Sequence, residues 1–244
     1  ERIDEYKNCL VDKSNISTFN NSKEYWEIVT RGTGLLPSKS AAIIEIELLE
    51  KRWQSLLKHI NDLGHISIKT ILVEDQLHES LWGDHSQIII ETGKIKSGAI
   101  MNAWLKHLEF SSSGLDQKKT ILIARKSITE FAKIFTWDPI KKEEAVLILN
   151  DLKALASQGF EECWPVPPES GWALALASGK TPETAYKIFE KSWSGEFTFS
   201  GENKNPIMQL CFGSKCNASM FLENEIFHKA LSFLYTPIIN SLTK

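Results

Sequence analysis

The spacing of hydrophobic residues changes abruptly at Gly64, and this change constrains the fold more than any other feature of the chain. Before Gly64, apolar residues recur every three or four positions, which predicts one buried face of a long helix capped by Ser38 or Ser40. The recurring residues are Ile43, Ile46, Leu49, Trp53, Leu56, Leu57 and Ile60. After Gly64, residues 66–74 are β-branched and nearly alternating, as in a half-buried strand.

The same helix-to-strand alternation continues to residue 125. Residues 76–82 and 87–90 read as two further strands separated by a Gly83-Asp84 turn, and a helical pattern begins at Ser97. A fourth strand is predicted over 119–125. The resulting α-β-β-β-α-β order predicts an α/β fold that contains a three-stranded meander.

The remainder of the chain is predicted to be mainly helical. We expect a helix capped at Asp138-Pro139, a rigid proline-rich loop over 164–172, a helix that begins at Thr181-Pro182, and a last helix over 222–235 that Pro237 ends. We therefore predict a single domain over 1–244. Its parts are a helical lead-in (1–39), an α/β core (40–126) and a helical C-terminal part (127–244). Because residue 1 is Glu and not Met, we expect a C-terminal piece of a longer chain.

Composition excludes several classes of function. The 28 Lys and Arg against 31 Asp and Glu give a net charge of −3, so any contact with nucleic acid must be local. The six histidines and four cysteines show no zinc-site spacing, and no phosphate-binding glycine loop is present. No apolar run approaches the roughly 20 residues of a membrane-spanning helix, so we expect a cytoplasmic protein without membrane contact.

The predicted element order is that of the restriction-endonuclease-like, or PD-(D/E)xK, nuclease core, here with added helices. Such nucleases need an acid on the second strand, and on the third an acid two residues before a lysine, to hold a divalent metal and activate water. Here Glu91 stands at the acid of the third strand, but Gly93 replaces the lysine and His78 replaces the acid of the second strand. Since Lys94 belongs to the opposite strand face, we predict a degenerate site with no catalysis and no metal.

Two alternatives remain open at this point. The chain is an active metal-dependent DNA nuclease if Glu91, with His78 or Glu79, completes the site and a bulge turns Lys94 inward. It is a pure protein-interaction module if its proline-rich segment, and not a cation, is the working surface.

Several segments occur in the order found in one protein family: 1–6, 34–37, 103–108, 167–172, 185–195 and 233–237. Through them, nearly the whole chain resembles the C-terminal domain of the gamma chain of exodeoxyribonuclease V (RecC). The resemblance implies a non-catalytic nuclease-like domain in the repair and recombination of DNA double-strand breaks. Such a domain places duplex or forked DNA, helps to separate its strands and docks RecB-like and RecD-like subunits. It implies no cofactor here, because ATP and magnesium are expected only in partner subunits.

Under this resemblance the working residues are contact residues. Lys94, Lys96, Arg125 and Lys126 lie at the predicted ends of the third and fourth strands, where cations could meet DNA phosphates. Their alternative role is that of ordinary solvated surface cations. Trp164, Pro167 and Trp172 are the candidates for docking a partner subunit, and their alternative role is a stiff cover over the core.

Overall fold

The computed structural model describes residues 40–64, 66–73, 76–114, 118–125, 132–161, 164–197 and 199–243. The predictions made for residues 1–39 and for Lys126 therefore lie outside the described residues. The chain divides into two compact units, one formed by Glu1–Ile95 and Thr120–Phe135 and the other by Lys96–Lys119 and Thr136–Lys244. The single domain over 1–244 and its internal boundaries stay a prediction.

Up to residue 137 the chain forms a helix, three strands, a second helix and two more strands, and afterwards it is mainly helical. They are α1 (Ser40–Asn61), β1 (Ser67–Val73), β2 (Gln76–Trp82), β3 (Ser86–Lys94), α2 (Ser97–Ser112), β4 (Lys119–Arg125), β5 (Lys133–Trp137), α3 (Lys142–Gly159), α4 (Pro168–Leu176), α5 (Pro182–Ser194), β6 (Gly195–Glu196), β7 (Phe199–Ser200), a 3₁₀ helix (Glu202–Lys204), α6 (Pro206–Phe212), α7 (Ala218–Leu222) and α8 (Glu225–Asn240). The predicted α/β class is confirmed. Within the described ranges, no helix is both long and apolar enough to cross a bilayer.

The main sheet has the strand order β1-β2-β3-β4-β5. β1, β2 and β3 pair in antiparallel fashion, which confirms the predicted meander. Two hydrogen bonds show that β3 and β4 run in parallel, since one joins the beginnings of the two strands and the other joins their ends. Thr120 Oγ1 donates to Gln87 Oε1 at 3.1 Å, and the Ile95 backbone N–H donates to the Arg125 carbonyl at 2.7 Å. A parallel pair needs a crossover connection, and α2 lies in the chain between these two strands.

The core of the first unit is aliphatic. Ile60, Ile88 and Ile123 are buried together at its centre. Six partly buried apolar residues pack around them: Leu63, Ile66, Leu81, Ile90, Ile121 and Ala132. On the predicted buried face of α1, burial is confirmed for Ile60. It is wrong for Ile43, which is 53% exposed, and the neighbouring Ala42 is buried instead, with 1% exposed. The side chains of Leu49, Trp53, Leu56 and Leu57 lie outside the described residues.

The core of the second unit is aromatic. Trp104, predicted to be buried, is 1% exposed, and its ring lies near those of His107 and Trp137, with centroids 5.5 and 6.3 Å away. A second cluster joins α5, α6, α7 and α8 through edge-to-face contacts, the geometry that ring quadrupoles favour. Its members are Phe189, Trp193, Phe212, Phe221 and Phe227.

Three sequence predictions for the C-terminal part were wrong in detail. Asp138 does not cap α3, which begins at Lys142; its carboxylate instead pairs with Lys119 Nζ at 3.0 Å. The expected loop over 164–172 becomes helical at Pro168, because proline at the first helical position and Glu169 in the first turn favour a helix start. The last helix begins at Glu225 and continues through Pro237 to Asn240. The strand β5 was not predicted.

Candidate functional site

Glu91, the predicted remnant of a nuclease acid, is held by its own strand. Its Oε1 accepts a hydrogen bond from the backbone N–H of Gly93 at 2.9 Å. A Cβ atom at Gly93 would lie only 3.0 Å from the same oxygen, so the missing side chain leaves room for the carboxylate. The expectation that residues 91 and 93 share a strand face agrees with this local contact.

His78, the residue at the place of the second acid, lies in the middle of β2. β2 pairs with β3 at Leu81 with Ile88 and at Trp82 with Gln87. Continuing that register by three residues would place the backbone of His78 opposite that of Glu91. The side chains of His78 and Glu79 lie outside the described residues. The strand positions thus fit the degenerate site and the active-nuclease alternative equally.

Among the described residues, no group of three or more His, Cys, Asp or Glu residues is arranged to hold a metal ion. A divalent metal in a nuclease usually needs one or two carboxylates together with other positioned ligands. Glu91, with its Oε1 engaged by a backbone N–H, supplies one such carboxylate.

Two of the predicted DNA-binding cations lie at adjoining strand ends in the first unit. Lys94 is the last residue of β3 and is exposed, and Arg125 is the last residue of β4 and is half-buried. The hydrogen bond from Ile95 N–H to the Arg125 carbonyl ties these two ends together. Arg125 Nε is buried and donates to no group among the described residues.

The other two predicted cations are placed differently. Lys96 is exposed and belongs to the second unit, where it is the residue before the first turn of α2. Its carbonyl accepts the N–H groups of Ala99 and Ile100 at 3.1 and 3.2 Å. Lys126 lies outside the described residues. The structure therefore brings together Lys94 and Arg125 of the four.

A buried polar chain that the sequence analysis missed fixes the strand beginnings in the first unit. Gln87 donates through Nε2 to Ser80 Oγ at 3.1 Å and accepts through Oε1 from Thr120. Gln87 is 1% exposed, so an unpaired amide there would be costly. This polar chain links β2, β3 and β4, and the only sequence signal for it was a glutamine directly before the three isoleucines of β3.

The candidate docking residues are largely taken up by the second unit's own packing. Trp172 is 7% exposed and contacts Tyr235, with ring centroids 5.4 Å apart. Pro167 is buried as the residue before α4, and Trp164 is half-buried. Tyr235 Oη donates to the carbonyl of Pro168 at 3.0 Å. These contacts favour the alternative role of this segment as a cover over the core, and its docking role stays a prediction.

Two carboxylates that the sequence analysis missed hold the beginnings of two helices. Glu202 accepts from the backbone N–H groups of Glu169 and Ser170 at 2.9 and 2.7 Å, and from Ser170 Oγ at 2.6 Å. Glu169 in turn accepts from Ser97 through its Oγ at 2.9 Å and its N–H at 3.2 Å. Burial, aided by the charges of Glu202 and Glu169, raises the pKa of Tyr235. Negative charge at a helix N-terminus is stabilising. Glu202 at the start of α4 and Glu169 at the start of α2 therefore have a structural role.

His107, to which the sequence analysis gave no role, is fully buried beside Trp104 and Trp137 in the second unit. Burial lowers the pKa of His107 to about 4, although the backbone and the charge of Asp138 oppose the shift. Asp138 is exposed, and its pKa is lowered chiefly by the hydrogen bond from Lys119. His107 is therefore neutral at physiological pH, and its ring packs against those of Trp104 and Trp137, which also contact each other.

Comparison with known proteins identifies the family. The model of the RecC C-terminal domain matches residues 13–179, which is more than half of the chain. No curated protein matches this sequence significantly. The match includes β3 and β4 and the proline-rich segment, whereas the resembling segments 1–6, 185–195 and 233–237 lie outside it. The chain thus belongs to the family of RecC C-terminal domains.

Proposed function

We propose that this chain is a nuclease-like domain that cuts nothing itself and positions DNA within a RecBCD complex. Membership of the RecC family implies the gamma subunit of that complex, exodeoxyribonuclease V, and a role in DNA repair. RecB and RecD are then its plausible partner subunits. The restriction-endonuclease-like identity of the core, the absence of catalysis and the contact with duplex or forked DNA are parts of the proposal.

The adjoining ends of β3 and β4 are the observation that carries the DNA-binding part. An exposed lysine and a half-buried arginine stand at two strand ends joined by a 2.7 Å hydrogen bond. Two cations on neighbouring strand ends suit successive phosphates of one DNA strand without reading its bases. Such a local contact is compatible with the net charge of −3.

Binding to forked DNA tests this part. We measure the slope of the logarithm of the association constant against the logarithm of salt concentration. In Lys94→Ala this slope should become less steep by about 0.9, the change expected for one lost contact with duplex phosphate. Fluorescence anisotropy at several salt concentrations measures that slope. Lys51→Ala is the matched control, because Lys51 is also an exposed lysine of the same unit but lies on α1. Equal slopes in the unmodified chain, Lys94→Ala and Lys51→Ala would contradict the proposed contact and favour the pure protein-interaction module.

The catalytic part is supported by the chemistry of the strand positions. Gly93 stands where a lysine is needed, His78 stands where an acid is needed, and Glu91 is engaged by the Gly93 N–H. A nuclease of this class without its lysine lacks the cation that supports the attacking water or the developing charge.

Incubation with linear DNA and Mg²⁺ or Mn²⁺ decides between the proposal and the active-nuclease alternative. We expect no cleavage above background in the unmodified chain. Glu91→Ala serves as the control, because true activity of this site would be lost in that variant while a contaminating nuclease would remain. Cleavage that Glu91→Ala abolishes would overturn the non-catalytic assignment.

A further inference from the structure

A groove in the second unit runs between α3 and α8 and has Trp104 of α2 among its lining residues. Its volume is about 430 Å³. α3 contributes Ile148 and Leu152, and α8 contributes Phe233 and Pro237. The groove therefore has two helical walls, and its lining residues are half apolar and half polar, so an amphipathic helix could pack there.

The α3 wall is covered by little of the described chain. Of its 18 residues only Ala145 and Leu149 are buried. Leu147, one turn from both Glu144 and Asp151 on the same side of the helix, is 62% exposed. An amphipathic helix usually buries a wider apolar stripe than this, so α3 retains apolar surface next to the groove.

The charged groups that line the groove are both acidic. Glu144 and Asp151 lie seven residues apart on α3, so they share one helix face with about 10 Å between them along the axis. Both are exposed, and neither forms an ion pair within the described part of the chain. A ligand with two cations at the same spacing would complement this wall, and residues i and i+7 of a helix have that spacing.

The α8 wall offers hydrogen-bond acceptors. Pro237 has no backbone N–H, so it cannot donate to the carbonyl of Phe233 as an ordinary residue of the helix would. Both residues line the groove. The hydroxyls of Ser232 and Thr236, which also line it, lie 3.1 Å from each other. The wall opposite the two carboxylates can therefore receive donors from a bound chain.

We propose that this groove binds a basic amphipathic helix of a partner protein. The apolar face of that helix would cover Ile148, Leu152 and Phe233, and lysine or arginine residues seven apart would meet Glu144 and Asp151. α3 lines the groove from Glu144 to Leu152, roughly 12 Å along its axis, so about two turns of a bound helix would lie against it. This proposal does not depend on DNA binding by the strand ends, and the two are tested with different ligands.

Designed peptides provide the probe. The test peptide is an 18-residue helix with leucines along one face and two lysines seven residues apart beside them, and its partner has glutamates in place of those lysines. Fluorescence anisotropy with the 244-residue chain should show about tenfold tighter binding of the lysine peptide. In the double variant Glu144→Lys and Asp151→Lys this preference should be reversed.

Glu143→Lys is the matched control for Glu144→Lys. Both residues are exposed acids in the first turn of α3, so both changes remove the same favourable charge from the helix N-terminus, but only Glu144 lines the groove. We expect Glu143→Lys to keep the preference for the lysine peptide. Equal binding of the two peptides, or equal effects of the two single variants, would overturn the proposal. A dimer in sedimentation that Glu144→Lys dissociates would also overturn it, because the groove would then bind a second copy of this chain.

Discussion

Glu91 in the first unit and Glu202 in the second unit are both half-buried acids, yet they do different work. Glu91 accepts one hydrogen bond, from a backbone N–H two residues away. Glu202 accepts three, from residues 32 and 33 positions away, and Glu169 extends this arrangement to Ser97, 72 positions away. Glu91, which stands at the place of a catalytic acid, thus makes fewer and more local hydrogen bonds. Glu202 and Glu169, which match no motif, connect distant parts of their unit.

The difference teaches that the resemblance of a residue to a motif and its contribution to the fold are separate matters. A local contact such as that of Glu91 survives wherever the strand forms. Long-range contacts to helix N-termini form only when the whole unit is folded, and their loss leaves buried donors unpaired.

Removal of Glu202 should have the largest effect. Glu202→Ala leaves the N–H groups of Glu169 and of fully buried Ser170 without their acceptor, and Ser170 Oγ keeps only Ser192 Oγ at 3.3 Å. We expect the free energy of unfolding to fall by about 3 kcal/mol. Urea unfolding followed by circular dichroism measures this loss. Glu202→Gln keeps one carbonyl acceptor and should lose about half as much. A Glu202→Ala variant that is as stable as Glu91→Ala would break the comparison.

The buried His107 should produce an effect of similar size, and this effect depends on pH. The unfolded chain takes up a proton at this residue near pH 6.5 and the folded chain only near pH 4, so the unfolded state binds more protons between these values. The free energy of unfolding should therefore fall by about 3 kcal/mol as the pH falls from 6.5 to 4, and change little from this source below pH 4.

Urea titrations at pH 7, 6, 5 and 4 on the unmodified chain and on His107→Gln isolate this contribution. The variant is expected to lose less stability over that interval, because it has no imidazole to protonate. Parallel curves for the two proteins would show that the second unit's aromatic core tolerates the charged ring.

Removal of Glu91 should have the smallest effect. Glu91→Ala loses one partly exposed hydrogen bond at a strand end, and we expect a loss of about 0.5 kcal/mol in the free energy of unfolding. The measurement is the same urea titration at pH 7. A loss as large as that of Glu202→Ala would mean that the acid of β3 is a structural anchor of its unit.

Hydrophobic periodicity predicted much of the fold. The helix–strand change at Gly64, the meander, α2 and β4 all appear where the sequence indicates them, since spacing by 3.6 or by 2 residues is a local property. The local relation of Glu91 to Gly93 and the strand-end positions of Lys94 and Arg125 were likewise accessible from sequence. The joining of those two strand ends through Ile95 depended on the parallel pairing of β3 and β4.

Other features could not be predicted because distant residues decide them. A proline normally ends a helix, but α8 continues through Pro237, and the turn that follows is held from outside. Ile238 is fully buried and its carbonyl accepts from Trp137 Nε1 at 3.3 Å, while Thr243 N–H donates to the Thr136 carbonyl at 2.8 Å. β5, which contributes Thr136 and Trp137, was itself missed because five residues give too short a pattern.

The sequence alone therefore determined the α/β class, the order of elements through β4, the departures from a nuclease motif and the family likeness. These depend on residue identity and short-range spacing. Only the tertiary structure decided that Trp172 and Pro167 are buried, that Glu202 and Glu169 hold two helix beginnings, and that α3 and α8 border an acidic groove. Each of these depends on which residues meet across long separations in the chain, and packing sets those meetings.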